Sequence, residues 1–114
     1  LDPADTRYQG AYAGNQAERD AAYHMGTSWP WLLGPFVRTH LRVHQDPKAV
    51  RGILAAFVDE SSRRVLGGIG EVNEGDKPHR PGGCLSQAWS VGEILACLRL
   101  ALDHEHEGDS VAFA

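Results

Sequence analysis

The stretch from Gly67 to Glu93, GGIGEVNEGDKPHRPGGCLSQAWSVGE, limits the folds open to this chain more than any other. It sets seven glycines and two prolines between two segments that read as helix. Glycine is unfavourable in a helix interior, and proline removes a backbone donor and clashes one turn back. The chain must therefore leave regular helix across 67–86. Connections of this length are uncommon inside compact domains and, when ordered, are usually functional. This one also carries Glu71, Glu74, Asp76, Gln87, Trp89 and Glu93. A second polar and aromatic stretch, YHMGTSWPW over residues 23–31, is its natural partner.

On either side of the loop the apolar residues recur at helical offsets. Leu33, Phe36, Val37, His40, Leu41 and His44 form one stripe, the spacing of an amphipathic helix. Pro30 suits a first helical turn, whereas Pro35 requires the helix either to kink or to begin there. Asp46-Pro47 reads as an N-cap followed by proline at the first helical position. It opens a second helix whose stripe is Val50, Ile53, Leu54, Phe57, Val58 and Leu66. After the loop, Ser86 or a Ser90/Glu93 capping box starts a third helix with Val91, Ile94, Leu95, Leu98 and Leu102 on one face. Ahead of all this, Tyr8, Gly10, Tyr12 and Gly14 alternate without a clean period, and Asn15 with Glu18 predicts a capped helical turn through Ala22. The polar tail from Asp103 is expected to fray. With no convincing strand, the pattern is all-α, and three stripes have too few neighbours to cover them.

Composition narrows the function classes. With 114 residues, 42% hydrophobic and 23% charged, the chain has the makings of one modest core. No apolar run approaches the roughly 18 residues of a membrane span. A net charge of −4 with scattered basic residues argues against a nucleic-acid or anionic-membrane partner; a neutral polar ligand is easier to accommodate. Cys84 and Cys97 make neither a disulfide framework nor a zinc-ligand spacing, so a reducing, cytoplasmic setting is expected. Leu1 follows no initiator methionine or leader pattern, and the chain reads as part of a longer polypeptide.

Each chemically capable group has an ordinary reading beside its functional one. Glu71, flanked by Gly70 and Val72, leaves room for a substrate beside the acid, and neighbouring Glu74 and Asp76 can tune its titration; an acidic turn is also a common solvated loop. Trp29, Trp31 and Trp89 offer apolar faces for sugar rings or for core packing. His24 can serve as acid, donor or ligand, or as a plain hydrogen-bonding side chain. His40 and His44 stand at i and i+4, but no acidic residue lies between them, and an ordinary packing role accounts for them without a metal. The glycines form neither a dinucleotide nor a phosphate-binding pattern. Gln87 can offer an amide to a hydroxyl-rich ligand or cap the third helix. No cofactor and no metal are expected.

Three groups of residues then occur in order: His24-x-Gly26-Thr27-x-Trp29-Pro30-Trp31-Leu32-x-Gly34-Pro35-Phe36; Gly70-Glu71-x-x-x-Gly75-Asp76-x-Pro78-His79-Arg80-Pro81-x-Gly83-Cys84; and Gln87-Ala88-Trp89-Ser90-Val91-x-Glu93. Together they resemble the amylo-α-1,6-glucosidase domain at the end of glycogen debranching enzymes, from about Tyr8 to Leu98. The resemblance implies the C-terminal part of an (α/α)6 barrel of the six-hairpin glycosidase type. Its segments would be an irregular 1–28, two helices over 29–66, an active-site loop over 67–86, a last helix over 87–104 and a tail over 105–114. It further implies an inverting glycoside hydrolase acting on α-1,6-linked glucose at branch points of glycogen or a limit dextrin. Glu71 would be the general base and the general acid would lie upstream of this chain, so the isolated 114 residues would be inactive. His24, Thr27, Trp29, Trp31, Glu74, Asp76, Gln87 and Trp89 would contact the branched α-glucan, and the remainder of the same catalytic domain would be the protein partner. The chain departs from the family pattern at Gly70, where serine is usual, at Val72-Asn73-Glu74, where Ile-Phe-Asp is usual, and at Met25, where Gln or Asn is usual. Another α-glucoside or trehalose hydrolase of the same barrel class, or a non-catalytic carbohydrate-binding module, are the alternatives. In either catalytic reading the loop must fold back to bring Glu71 beside His24 and Trp29.

Overall fold

Local capping begins the fold well before the first apolar stripe. A computed structural model describes residues 1–64 and 67–111, and the side chains of these except at 60, 62, 64 and 105–111. Helix α1 spans Gln16–Ala22. The Asn15 side chain accepts the Glu18 N–H at 3.1 Å while the Glu18 carboxylate accepts the Asn15 N–H at 2.6 Å, so two otherwise orphaned donors satisfy each other's neighbours.

A 3-10 turn, Pro30–Leu32, runs directly into α2, Leu33–His44. Both prolines fall in first turns, where a backbone N–H has no helical partner to lose. The helix therefore begins around Pro35 and does not kink there. It stops at Gln45, whose φ of 51° is left-handed. Helix α3, Pro47–Arg64, follows at once: Asp46 Oδ1 accepts the Ala49 N–H at 2.9 Å and Pro47 occupies the first position, as the sequence predicts. Leu66, the last residue of the expected second stripe, lies outside the described residues.

Helix α4, Ala88–Val111, differs from expectation at both ends. Neither Ser86 nor a Ser90/Glu93 box caps it. Ser90 is already inside the helix, fully buried with its hydroxyl unpartnered, and Glu93 reaches across to Arg38 on α2 at 2.7 Å, so the local box does not form. The tail expected over 105–114 is helical as far as Val111. Extending a formed helix requires no new nucleus, nothing between Asp103 and Gly108 breaks it, and Arg99 pairs with Asp103 one turn on at 3.0 Å.

The core lies where α4 packs across α2 and α3: Val37 and Leu41, Val50 and Leu54, and Ile94, Cys97 and Ala101 are all buried. Fully burying each large aliphatic here contributes about 1.5–3 kcal/mol. The α2–α4 crossing is close because Gly34 has no side chain: a Cβ there would collide with the Glu93 carboxylate. The expected stripes are only partly correct. Leu95 and Leu102 are 61% and 42% exposed, and Phe36 on α2 is 48% exposed. At 100° per residue, Leu95 and Leu102 lie roughly 80–100° around α4 from Ile94, while Cys97 and Ala101 take the inner face. The molecule measures 60 × 31 × 20 Å, and its thin dimension is about two helix diameters. Every long helix therefore keeps one apolar edge in water.

The breaker-rich loop is ordered by backbone pairing, not by helix. Strands β1, Val72–Asn73, and β2, Pro81–Gly82, pair antiparallel with Val72 opposite Gly82 and Asn73 opposite Pro81. The sequence reading had no strand here because each is two residues long, too short for a period-2 pattern to show. The ladder continues outward through Glu71 N–H to Cys84 C=O at 2.9 Å and Glu74 N–H to Arg80 C=O at 2.9 Å. Buried Val72 anchors it inward.

The two kinds of apolar residue make opposite predictions. Leu54→Ala should cost about 2–5 kcal/mol in chemical denaturation. Leu95→Gln should change the stability of the 114-residue chain by no more than about 0.5 kcal/mol and reduce its self-association in sedimentation. A loss from Leu95→Gln as large as that from Leu54→Ala would mean that the outer face of α4 is already packed.

Candidate active site

Two separate loops become one surface through Ser28 and Asn73. Their backbones exchange hydrogen bonds, Ser28 N–H to Asn73 C=O at 2.9 Å and Asn73 N–H to Ser28 C=O at 2.8 Å. The Gly75 N–H adds a bond to Gly10 C=O at 2.9 Å. Gly26 lies so close to Gln9 C=O that any Cβ would collide with it, which explains a glycine between Met25 and Thr27. The 23–31 stretch is thereby laid along the strand that Glu71 immediately precedes.

Alternation along that strand sends Val72 into the core and leaves the Glu71 side chain on the opposite, half-buried side. Two donors meet its carboxylate, the Cys84 N–H on Oε2 at 3.1 Å and the Gln87 amide on Oε1 at 3.4 Å, and the Tyr23 phenol lies near enough to act on its titration. The Cys84 N–H reaches it because Gly83 turns the chain with φ of 67°, and a Cβ on Gly83 would run into Oε2. Hydrogen bonding from Tyr23 chiefly, then from Cys84, holds the Glu71 carboxyl below its ordinary range, against an opposing push from burial and with a smaller contribution from Gln87. The phenol responds in the opposite sense: burial first, and then the bond to Glu71, push Tyr23 well above the usual tyrosine range. At neutral pH the pair is phenol and carboxylate.

Tyr23 also begins a wall of rings. It meets Trp29 edge-on at 4.6 Å and His24 edge-on at 5.0 Å, with Tyr12 at 5.8 Å behind it. His24 stacks on Trp29 with only 3° between planes. Trp89 meets Trp29 edge-on at 6.3 Å and Trp31 at 5.9 Å, and it is half exposed. Beyond Trp29, an apolar hollow of about 250 Å³ opens among Pro30, Leu32, Phe36, Phe57 and Asn73.

The structure brings Glu71, Gln87, His24, Trp29, Trp31 and Trp89 onto this surface. Thr27 belongs to it differently: its hydroxyl donates to Tyr23 C=O at 2.6 Å, and the Trp29 indole N–H donates to the same carbonyl at 3.2 Å. Glu74 and Asp76 do not join Glu71. They lie at the other end of the ladder, about 10 Å along at the usual strand rise. There Glu74 C=O contacts His79 Nδ1 at 3.0 Å, and the Asp76 carboxylate accepts the Tyr8 hydroxyl at 3.1 Å. Tuning of Glu71 by Glu74 and Asp76 is thus replaced by tuning through Tyr23. Sequence reading missed Tyr23 as a member of the site; the signal was a tyrosine directly before His24 in a segment already rich in tyrosine and glycine.

His40 and His44, expected to pack without a metal, lie on α2 with ring centres 4.6 Å apart. Among the described residues no group of three or more His, Cys, Asp or Glu side chains is arranged to hold a metal ion. Among them, too, no helix is long and apolar enough to cross a membrane.

Compared with known proteins, residues 1–96 match the family model described as amylo-alpha-1,6-glucosidase. No solved structure matches the chain.

The lowered Glu71 carboxyl sets a direction for pH dependence. A folded-state value below the unfolded one contributes stability that is fully present above the ordinary glutamate range near 4.3 and is lost as pH falls through the folded value. Stability should therefore fall on acidification below about pH 4, and Glu71→Gln should flatten that part of the curve in urea midpoints measured from pH 2 to 7. Equal acid slopes in the two proteins would remove Glu71 from the account.

Proposed function

The chain belongs to the amylo-alpha-1,6-glucosidase family, and from that membership we propose that it supplies the general-base side of a glucosidase active site. The reaction is hydrolysis of α-1,6-linked glucose at branch points of glycogen or a limit dextrin, with inversion. The observation that carries this reading is an ionised carboxylate, Glu71, held by the Cys84 N–H and the Gln87 amide beside an aromatic wall.

An inverting glucosidase needs a carboxylate to take a proton from the attacking water and a carboxylic acid to protonate the leaving oxygen, roughly 6.5–9.5 Å apart. Glu71 suits the first role because its neighbours keep it charged. A carboxylate offers about four lone-pair sites, so the Cys84 and Gln87 donors leave room for a water. With that water aligned on the anomeric carbon, Glu71 accepts its proton as the C–O bond to the leaving glucan breaks. The acid would come from the rest of the catalytic domain, since Glu74 and Asp76 stand at the far end of the ladder. The half-exposed Trp89 with Trp31 offers apolar faces to glucose rings, and Gln87, already on Glu71, can share its amide with a sugar hydroxyl.

The remainder of that domain is also the proposed cover for the wet apolar edges at Leu32, Phe36, Val43, Leu95 and Leu102, which a helical barrel would bury against neighbouring hairpins. The two free thiols, exposed Cys84 and buried Cys97, support a cytoplasmic setting.

In the complete catalytic domain, Glu71→Gln should lower kcat by about 10²–10⁴-fold, the usual contribution of a general base, with KM little changed. Glucose released from a singly branched dextrin should first appear as the β-anomer by proton NMR. Initial release of α-glucose, or a Glu71→Gln enzyme within tenfold of wild type, would overturn the assignment.

A further inference from the structure

We propose that Gln87 is the positioning residue of this site: with the Cys84 N–H on one carboxylate oxygen, its side-chain amide takes the other and fixes the plane in which Glu71 faces a substrate. The inference rests on the reading of Glu71 as the base and gives Gln87 a part that comes before any contact with sugar.

A glutamate carboxyl has no strongly preferred rotation about its last bond, because torsions onto a trigonal carbon are broad. Its plane must be set from outside. Here the two oxygens are held separately, Oε2 by the Cys84 N–H at 3.1 Å and Oε1 by Gln87 Nε2 at 3.4 Å. One donor alone would let the group swing about the bonded oxygen, whereas a donor on each oxygen defines the plane. The Cys84 donor belongs to the backbone, so Gln87 is the member of the pair that a side-chain substitution removes.

Backbone bonds place Gln87 in turn. Its N–H donates to Ile69 C=O at 2.8 Å, and the Glu71 N–H donates to Cys84 C=O at 2.9 Å, so segments 69–71 and 84–87 are tied at both ends. The Gln87 C=O accepts the Val91 N–H at 3.1 Å, the bond with which α4 begins. The direction of the amide is thereby inherited from the helix that carries Ile94, Cys97 and Ala101 into the core. Glu71 and Gln87 are both half-buried, where a hydrogen bond is electrostatically stronger than in open water.

The chemistry of glutamine suits the role. An ionised carboxylate only accepts hydrogen bonds, so Gln87 turns its NH2 toward Glu71 and its carbonyl oxygen away. A ligand group that meets Gln87 from the open side finds an acceptor, which suits a sugar O–H. An arginine in its place would depress the carboxyl further and weaken it as a base, and a glutamate would repel it. A neutral amide orients the carboxylate without either effect.

The test is Gln87→Met in the complete catalytic domain, which keeps the length of the side chain and removes its amide, with Gln16→Met on the exposed surface of α1 as a control. Gln87→Met should lower kcat by up to about 100-fold, the cost of a shift of about 1 Å in near-attack geometry. KM should rise no more than about tenfold, the worth of one lost hydrogen bond. Loss of a donor to the charged form raises a carboxyl's titration midpoint. Carbon-13 NMR with labelled glutamate should therefore show Glu71 titrating at higher pH in Gln87→Met and unchanged in Gln16→Met, and the acidic limb of the kcat/KM profile should move the same way. If Gln87→Met does not fold, the wild-type enzyme supplies the reading: the Gln87 side-chain NH2 signals in nitrogen-15 NMR should shift with the Glu71 midpoint and cease to do so in Glu71→Gln. An unmoved Glu71 midpoint in Gln87→Met, or Gln87 amide signals that stay flat across the Glu71 titration, would overturn the proposal. A raised Glu71 midpoint in Gln87→Met together with a fully active Glu71→Gln enzyme would keep the Gln87 contact and reject Glu71 as the base, so the two failures are separable.

Discussion

The reciprocal backbone bonds between Ser28 and Asn73 are the constraint on which the rest of the site depends. Without them the 23–31 stretch and the 67–86 loop would be two independent surface segments on a three-helix frame. With them, the strand that follows Glu71 lies against the turn bearing Tyr23, and the ladder to Pro81 and Gly82 brings the Cys84 N–H and then Gln87 around the Glu71 carboxylate. Helices α2, α3 and α4 supply rigidity from below: Val72 is buried from the loop, and α4 begins just after Gln87. Backbone pairs serve this purpose well because each satisfies groups that could not be left unbonded near a core.

The electrostatics follow from that placement. A half-buried carboxylate would ordinarily be pushed toward its neutral form; here donors outweigh desolvation and the charge is retained. A carboxylate so held is a weaker proton acceptor but stays ionised at neutral pH.

The thinness of the molecule is equally informative. A 20 Å slab leaves Phe36, Val43, Leu95 and Leu102 in water while the inner faces of the same helices are closely packed. Such two-sided helices fit the middle of a layered all-α architecture better than its boundary, and the family to which residues 1–96 belong accounts for them.

Much of this was legible in the sequence. Capping chemistry at Asn15/Glu18 and Asp46/Pro47 is local and so appears directly in residue order; apolar periodicity located α2, α3 and α4; and the motif words from His24 to Glu93 pointed to the family. Tertiary structure alone decided the rest. Which part of each stripe faces inward depended on where α4 crosses α2 and α3, so Cys97 and Ala101 are buried and Leu95 is not. No Ser90/Glu93 capping box forms, because Ser90 lies inside α4 with its hydroxyl buried and unpartnered and Glu93 pairs with Arg38. Two-residue strands carry too little pattern to be read, yet they separate Glu71 from Glu74 and Asp76. Tyr23 came to lie against Trp29 and Tyr12 and beside Glu71, 48 positions away, and proximity across that distance leaves no mark on local spacing.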